Sequence, residues 1–501
     1  MKSTDSYLGV HPYLAASILV RVVFPLPMFP AIAICMMRYV LLFTYFTKIA
    51  FFHIVSKKPP PFSPKICQYH PKYPAMPYFA GSSPPSFPQY RGRGYICYEP
   101  VADGGRSNKD KNLYLMTQEI TKGRLLAIDT GSTSTKLGYF IDGKQIFNEK
   151  LVHNMEELSR YENVMDQDRM RRDAIIGFLR DKGIAITDID IVMARGGLFA
   201  PVITGVYKVN RDMRDVLLTC RDGVHACNLS AVIADDIAEE VNEARSAAGT
   251  ESPFGLCRAY IADPPMADEM LPECRLGGIP EFPHRAFFHA LNSRATVKQY
   301  LRSHGKEEND ITAIVAHLGG GITVTLHRNG KVIDTNNGLG GDGPFTPERA
   351  GTCPAFPLIE MCFSGKYTEG EVKRKILGKG GAVAYFGTND LAEIERRAIA
   401  GDKNCGTFLN AFCLNIAKYI ASAAATVCGK VDVILLTGGI AYSTSITDAI
   451  RERVSFIAPV EIYAGEHELR SLAENGYNVL ANKVAVHRYD KNAIVGDDQN
   501  A

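Results

Sequence analysis

The sequence predicts a mixed α/β protein made of two similar lobes that face each other across a cleft. Three observations favour this fold: an apolar hairpin occurs twice, helical and strand periods alternate between and after the two copies, and glycine-rich turns follow apolar strands. Such alternation is typical of α/β proteins, and open α/β sheets bind ligands at the carboxyl ends of their strands.

The first hairpin lies in Leu125–Phe140, LLAIDTGSTSTKLGYF, which reads as a strand, a Gly/Ser/Thr turn and a second strand. Asp142-Gly143 marks the next turn, because D-G is a strong hairpin signal. Ala313–Asp334 repeats this plan, with Asn329-Gly330 as its hairpin turn. A motif that recurs once indicates a duplicated domain rather than a solenoid.

Helical spacing of apolar residues predicts helices over Arg169–Lys182 and Leu229–Ala247, and a third along a stripe from Leu409 to Val427. The last of these runs directly into Val431–Ser443, VDVILLTGGIAYS. We expect that segment to be a buried strand stopped by its two glycines.

The first 115 residues differ from the rest in composition. Their 13 Lys/Arg face only 4 Asp/Glu, and 15 of the 27 prolines in the chain lie before residue 101, which predicts disorder rather than a packed core. A membrane anchor with a Pro-rich linker and a degraded targeting segment are two interpretations, although charges and prolines interrupt the apolar stretch. We favour a third: the reading frame was opened too early, and Met116 is the true start.

Residues 116–501 carry 43 Lys/Arg and 50 Asp/Glu, which suits a cytoplasmic enzyme and disfavours nucleic acid as a partner, since such binders show a basic surface. No membrane association is expected for this part. The twelve cysteines form no C-x-x-C pair and no zinc-finger spacing, so we expect buried free thiols in a reducing compartment.

Three glycine-rich turns follow apolar strands and predict phosphate binding. They lie at Gly131, at Gly319-Gly320-Gly321 and at Gly438-Gly439. Glycine lets backbone N–H groups approach an anion closely, and in the first turn Ser132, Ser134 and Lys136 add donors. None of the turns matches a P-loop or a dinucleotide-binding G-x-G-x-x-G.

The sequence Asp129-Thr-Gly-Ser also resembles the catalytic loop of aspartic proteases, which need two such carboxylates. When Gly131 is aligned with Gly319, the counterpart of Asp129 is His317. The second carboxylate is therefore absent from the duplicated loop, and phosphate binding is the better interpretation.

Further candidate residues lie at strand ends or before helices. Each has a structural alternative when taken singly, such as a strand end, a turn cap or a core histidine. They are Arg195 in ARGG, His225 in DGVHACN, Asp263 before two prolines, His289 in FHALN and Arg349 in a glycine-rich loop that begins near Asp334.

In combination these segments resemble the acetate and butyrate kinase family of the actin/hexokinase/Hsp70 superfamily. The resemblance runs from about Arg124 to Asp490 and is carried by DTGSTSTK, ARGG, FHALN, HLGGG and TGGIA. It implies two duplicated ribonuclease H-like (actin-type ATPase) domains. Residues 116–265 with about 466–490 would form the first, and 266–465 the second.

The resemblance also implies roles for individual residues. The turns at Gly131 and Gly319, the latter beginning at His317, would hold phosphate, and the Gly438-Gly439 turn would belong to the adenosine site. Arg195 would bind the acceptor, and Arg349 and His289 would contact the transferring phosphoryl group. His225 would be a second active-site histidine.

ATP and Mg²⁺ are the implied cofactors, with Asp263 and Asp129 as metal ligands. Ala441-Tyr442 stands where the resemblance leads us to expect a glutamate near the metal. Asp129 could therefore recruit metal or only cap its turn, and the sequence leaves both possibilities open.

The reaction implied is phosphoryl transfer from ATP to butyrate, with acetate, propionate or a branched short-chain acid as alternative acceptors. A non-catalytic, actin- or Hsp70-like nucleotide switch is the alternative of another class. The acceptor-binding arginine speaks against a switch, which has no acceptor to bind. Family resemblance further suggests a homo-oligomer, at least a dimer.

Overall fold

The computed structural model describes residues 122–307 and 311–492, and the expectations for residues 1–115 and for a start at Met116 lie outside the described residues. The described strands form two sheets and are, in chain order, β1 (Arg124–Thr130), β2 (Ser134–Ile141), β3 (Lys144–Val152), β4 (Ile191–Arg195), β5 (Val206–Lys208), β6 (Ala259–Ala262), β7 (Thr312–Leu318), β8 (Ile322–Arg328), β9 (Lys331–Thr335), β10 (Val433–Gly438), β11 (Val460–Ala464) and β12 (Val486–Arg488).

Helices connect and cover these strands. Those described are α1 (Met155–Leu158), α2 (Asp168–Asp181), α3 (Arg211–Leu218), α4 (Asn228–Ala248), α5 (Ala290–His304), α6 (Ala355–Phe363), α7 (Glu369–Ile376), α8 (Gly381–Phe386), α9 (Leu391–Ile399), α10 (Lys403–Thr426), α11 (Thr444–Val454) and α12 (Glu468–Leu480).

Each sheet contains one of the two hairpins found in the sequence. The first sheet has the order β12-β5-β6-β4-β1-β2-β3 and the second the order β11-β10-β7-β8-β9. β1 and β7 both begin an antiparallel three-stranded meander, and both have a parallel strand on their other side. The predicted mixed α/β class with two similar halves is confirmed, whereas the exact domain boundaries stay a prediction.

Parallel pairing brings the functional candidates to one edge of each sheet. In the first sheet β1 pairs with β4 and β4 with β6, so that Asp129, Arg195 and Asp263 all lie at carboxyl ends of adjacent strands. In the second sheet the register places Thr437 of β10 beside His317 of β7.

Both faces of each sheet are covered. Helices α2, α3 and α4 pack on one face of the first sheet, and α12 packs on the other together with Leu291 of α5. Helices α10 and α11 cover one face of the second sheet, while Val297, Tyr300 and Leu301 of α5 pack on its opposite face. Because α5 contributes to the cores of both sheets, it fixes one sheet against the other.

The three predicted helices are present with ends shifted by only a few residues. Helix α10 is long and apolar enough to cross a membrane by composition alone, but Phe412, Ile416 and Ile420 on it are buried in the second core. The buried strand expected within Val431–Ser443 is confirmed, since β10 ends at Gly438 where the two glycines were predicted to stop it, and a 3₁₀ turn follows.

Gly438 ends β10 because of its backbone. Its φ is +89°, and a Cβ there would lie 2.3 Å from the carbonyl oxygen of Leu318. Only glycine tolerates both conditions, and the chain consequently leaves the strand at this point.

The nine cysteines of the described residues form no disulfide, and Cys227, Cys257, Cys405 and Cys413 are buried. The expectation of free thiols is confirmed for these residues, but Cys362 and Cys428 are exposed.

Phe412 tests the packing of the second core, because its side chain is 0% exposed. Phe412→Ala is expected to lower the free energy of unfolding by about 3–5 kcal/mol, since it leaves a cavity between α10 and the sheet. Urea unfolding followed by circular dichroism measures the loss. Leu414→Ala, on the same helix but 45% exposed, is the matched control and should change it by less than about 0.5 kcal/mol.

Candidate active site

The first glycine turn joins β1 to β2 and is closed by a hydrogen bond from the Gly131 N–H to the Ser134 carbonyl, 2.8 Å. Ser132 and Thr133 at its tip are exposed, whereas the Ser134 side chain is buried. Within the described part of the chain, the N–H groups of Ser132 and Thr133 have no hydrogen-bond acceptor. The turn therefore offers two backbone donors of the kind that bind phosphate.

Four charged side chains meet behind this turn and form what we call the ion cluster: Asp129, Lys136, Arg195 and Glu468. The register of β1 against β2 places Asp129 directly opposite Lys136, with Nζ 3.8 Å from Oδ2. Nη1 of Arg195 lies 3.4 Å from Oδ1 of Asp129 and 3.5 Å from Oε1 of Glu468. Lys136 Nζ is also 3.4 Å from Glu468 Oε2.

A second glutamate lies at the edge of the ion cluster. Glu466 Oε2 is 3.0 Å from Lys136 Nζ, and its Oε1 is 3.7 Å from Nε2 of His317. Its side chain is 35% exposed, whereas that of Glu468 is buried. Glu466 thus connects the first hairpin to the second and remains accessible to solvent.

The two buried carboxyl groups of the ion cluster share a hydrogen bond and have opposite pKa shifts. Burial, together with the neighbouring negative charge of Glu468, raises the pKa of Asp129 above its usual range. Burial alone would raise the pKa of Glu468 too, but Arg195, the hydrogen bond from Asp129 and Lys136 lower it. Asp129 is therefore the carboxyl group that holds a proton more readily, because two carboxylates in contact cannot easily both ionise.

Arg349 lies against the second glycine turn. Its Nη1 donates to the Gly338 carbonyl at 2.6 Å, and a Cβ on Gly321 would lie 2.6 Å from the same nitrogen. A side chain at position 321 would therefore displace the guanidinium from this place. In residues 122–307 and 311–492 no carboxylate oxygen lies within 4.0 Å of Arg349, and the charge of the adjacent Glu348 acts on this half-buried cation only from a longer distance.

The loop that carries Arg349 also makes a hydrogen bond to the second glycine turn. The Gly319 N–H donates to the Gly321 carbonyl at 3.2 Å, and the Thr346 hydroxyl donates to the Gly320 carbonyl at 2.7 Å. Thr346 also accepts the backbone N–H of Arg349 at 2.9 Å, so one hydroxyl fixes both the turn and the arginine.

His289 and His317 stack with ring centroids 3.8 Å apart and planes 9° from parallel. His317 Nδ1 lies 2.8 Å from Nδ2 of Asn292, whose own oxygen accepts the His467 N–H. The amide orientation makes His317 Nδ1 the acceptor, so its proton is on Nε2. Burial lowers the pKa of both histidines, and each is neutral near pH 7.

His289 lies against the second hairpin. Its Nδ1 is 2.9 Å from Thr323 Oγ1, and burial, the neighbouring His317 ring and the charges of Arg195 and Arg349 lower its pKa, whereas the charge of Glu468 acts in the opposite direction. Its contact with the transferring group stays a prediction.

His225 lies near the same arginines. Its Nδ1 accepts the Cys227 N–H at 3.2 Å, so the neutral ring carries its proton on Nε2. Burial lowers the pKa of His225 to about 4, and the charges of Arg195 and Arg349 act in the same direction. The charges of Arg195 and Arg349 thus act on both His225 and His289, so that four of the five candidate residues lie within electrostatic range of one another.

Asp263, the fifth, is buried at the end of β6 with a φ of +43°. Its Oδ1 accepts the Gly205 N–H at 3.0 Å and lies 3.1 Å from Nε of Arg294. A positive φ at a non-glycine residue is uncommon and indicates a constrained backbone. Among the described residues, no group of three or more His, Cys, Asp or Glu is arranged to hold a metal ion by itself.

The sequence motifs missed Glu466 and Glu468. Glu466 lies between β11 and α12 and Glu468 is the first residue of α12, both in the segment Gly465-Glu-His-Glu. An acidic pair after a strand and a glycine is visible in the sequence, but it does not reveal that Glu468 meets Lys136 and Arg195 in the folded chain. Asn292 and Thr437 lie within the motifs FHALN and TGGIA, and Asn292 Nδ2 donates to Thr437 Oγ1 at 3.2 Å.

A family model, similar sequences and a similar crystal structure all point to one protein family. Residues 284–482 match the model of the acetokinase family. Butyrate kinase 2 of Clostridium acetobutylicum is 46% identical over 74% of this chain and 99% of its own length, and butyrate kinase 1 of the same organism is 42% identical over 73% and 99%. The crystal structure of Porphyromonas gingivalis acetate kinase superposes with a TM-score of 0.56 at 16% identity, over 72% of this chain and 100% of its own.

The pKa values of His225 and His284 are shifted in opposite directions, so one pH titration tests both shifts. The pKa of His225 is about 4, below its ordinary value, whereas the hydrogen bond to Asp342 raises the pKa of His284 above it. On lowering the pH from 8 to 5, His284 is expected to take up its proton early, while His225 stays neutral as the Nε2–H tautomer. Imidazole ¹⁵N NMR, assigned with His225→Gln and His284→Gln, follows both. Protonation of His225 above pH 6 would contradict the placement beside two arginines.

Proposed function

Because the chain belongs to the acetokinase family, we propose that it transfers the γ-phosphoryl group of ATP directly to a short-chain carboxylate, with butyrate as the preferred acceptor. The observation that carries this proposal is Arg349, a half-buried guanidinium at the second glycine turn with no carboxylate oxygen within 4.0 Å among the described residues, although the charge of the adjacent Glu348 acts on it. A half-buried cation without a salt-bridge partner favours an anionic ligand at this place.

The proposed reaction needs alignment and charge compensation more than a strong base. A carboxylate is already nucleophilic near neutral pH, and two anions must be brought into line while charge spreads over the equatorial oxygens. Arg349 would contact the transferring phosphoryl group, and Arg195 would bind the acceptor carboxylate. Arginine suits both tasks, because its planar fork matches carboxylate and phosphate.

The neutral histidines support these separate roles of Arg349 and Arg195. His225 presents an Nε2–H, and His289 lies beside Thr323 of the second hairpin with a lowered pKa. Neutral imidazoles can donate hydrogen bonds to the phosphoryl oxygens. The lowered pKa values also mean that neither ring is a ready proton source at pH 7, which fits a transfer that needs no general acid.

We propose that the turns at Gly131 and Gly319 hold the phosphates of ATP and that the Gly438-Gly439 turn lies at the adenosine. The free N–H groups of Ser132 and Thr133 support the first assignment. Lys136, predicted as a phosphate ligand, is engaged by Asp129, Glu466 and Glu468, so its contribution would be mainly through those carboxylates.

The carboxylates fit a Mg²⁺ ion that arrives with ATP. Mg²⁺ usually binds through one or two carboxylates plus substrate phosphates and keeps several waters, so no preformed cage is needed. Asp129 and Asp263 stay our proposed ligands, and the accessible Glu466 is added to them. Mg²⁺ held by these residues would neutralise negative charge on the phosphates.

A non-catalytic nucleotide switch would leave Arg349 and Arg195 without an acceptor to bind, which speaks against it. A cytoplasmic location and a homo-oligomeric state are part of the proposal and rest on family resemblance.

Acceptor preference is tested by trapping acyl phosphates as hydroxamates with ATP and straight-chain acids of two to six carbons. We expect the highest kcat/KM with butyrate. One methylene is worth about 1–3 kcal/mol in an apolar pocket, so acetate should be poorer by roughly tenfold or more. Acyl phosphate from none of these acids would overturn the kinase assignment, and a maximum at another length would correct only the acceptor.

Arg349→Ala is expected to lower kcat by ~10³-fold or more while the KM for ATP changes little, since arginines aimed at the transferring phosphoryl group act mainly in the transition state. The exposed Arg374→Ala on α7 is the matched control and should behave as the parent enzyme. Unchanged turnover in Arg349→Ala would exclude this role.

A further inference from the structure

The first glycine turn is held from behind by a buried arginine that no sequence motif includes. Arg171 on α2 is 0% exposed. Its Nη1 donates to the carbonyl oxygens of Gly131 at 2.8 Å and Ser134 at 3.4 Å, and its Nη2 donates to that of Ser132 at 2.9 Å. Three carbonyls of one turn therefore converge on one guanidinium.

Arg171 has no acidic partner. Nε and Nη2 donate to the side-chain oxygen of Gln167 at 3.1 and 2.8 Å, and in the described ranges no carboxylate oxygen lies within 4.0 Å. Burying a charge without a counter-ion costs several kcal/mol in general. A neutral side chain could brace a turn more cheaply, so the retained charge calls for an explanation beyond packing.

The geometry of the peptide unit supplies that explanation. A trans peptide is planar, and its C=O and N–H groups point in opposite directions. When Arg171 draws the carbonyls of Gly131 and Ser132 towards itself, the N–H groups of Ser132 and Thr133 are turned away from it. These are the two donors that have no acceptor in the described part of the chain.

We propose that Arg171 is a positioning residue that orients the Gly131–Ser134 turn for phosphate and adds a positive charge behind it. This inference rests on the proposed function, because it takes the turn to be a phosphate site. Arg171 acts through the backbone and does not touch the nucleotide. Its guanidinium both fixes two peptide planes and raises the electrostatic potential where an anion would bind.

A purely structural arginine would stabilise the protein without affecting one substrate more than the other. Arg171→Lys keeps the charge but cannot reach three carbonyls with the same fork. Gln167→Glu keeps the hydrogen bonds and places a carboxylate against the guanidinium, which removes the unbalanced charge without leaving a cavity. The adjacent Arg172→Lys is the matched control, since Arg172 pairs with Asp173 near the surface and makes no hydrogen bond to the Gly131–Ser134 turn among the described residues.

The experiment measures KM for ATP, KM for butyrate and kcat by hydroxamate trapping, and ADP binding by calorimetry. Both Arg171→Lys and Gln167→Glu are expected to raise the KM for ATP and weaken ADP binding by about tenfold or more, with the KM for butyrate within twofold of the parent, because a charge-assisted hydrogen bond is worth about this much. Arg172→Lys should match the parent in all four quantities.

Equal changes in both KM values, or an unchanged KM for ATP in folded Gln167→Glu, would overturn the inference. If Arg171→Lys fails to fold, Gln167→Glu decides alone. Failure of the proposed function would give a different result, because the parent protein would then form no acyl phosphate. ADP calorimetry would still report whether the turn responds to these substitutions.

Discussion

The ion cluster of Asp129, Lys136, Arg195 and Glu468 is the interaction on which the arrangement of the site depends. Each isolated charge would be costly to bury, and removing one partner leaves the others uncompensated. The four residues come from β1, β2, β4 and the start of α12, so the cluster ties the C-terminal helix to the first hairpin. Helix α12 can pack on β1 and β4 in only the register that brings Glu468 to Arg195.

The second hairpin has the same backbone and different chemistry. His317 occupies the place of Asp129, and burial keeps it neutral, with Asn292 rather than an ion as its main partner. The carboxyl ends of the two sheets therefore present a charged cluster on one side and stacked neutral histidines on the other. Duplication supplied two turns of the same shape, and the side chains that follow each strand made them unequal. Phosphoryl transfer needs that inequality, because donor and acceptor are bound by different groups.

The sequence predicted the hairpins, the main helices and most of the candidate residues because these are local features. The residues that form one alternating strand, one D-G or N-G turn or one helical stripe lie within about twenty residues of one another. Glu468 and Arg171 could not be found in this way. Their roles depend on Lys136 and Gly131, to which only the folded chain brings them. The end of β10 at Gly438 was predicted from its two glycines, but the close approach of Gly438 to Leu318 joins distant parts of the chain and could not be read from the sequence.

Arg171 and Arg349 apply one physical principle to the two turns in different ways. A glycine turn binds phosphate only if its N–H groups face the anion, and this requires that its carbonyls be satisfied elsewhere. At the first turn the buried guanidinium of Arg171 donates hydrogen bonds to the carbonyls. At the second turn the neutral hydroxyl of Thr346 donates to the Gly320 carbonyl, and the guanidinium of Arg349 is left on the open side. The first turn therefore has its cation behind the backbone, where it can only bind and orient, and the second has its cation where it can contact a ligand. This asymmetry is consistent with one turn holding the nucleotide and the other serving the phosphoryl group in transit.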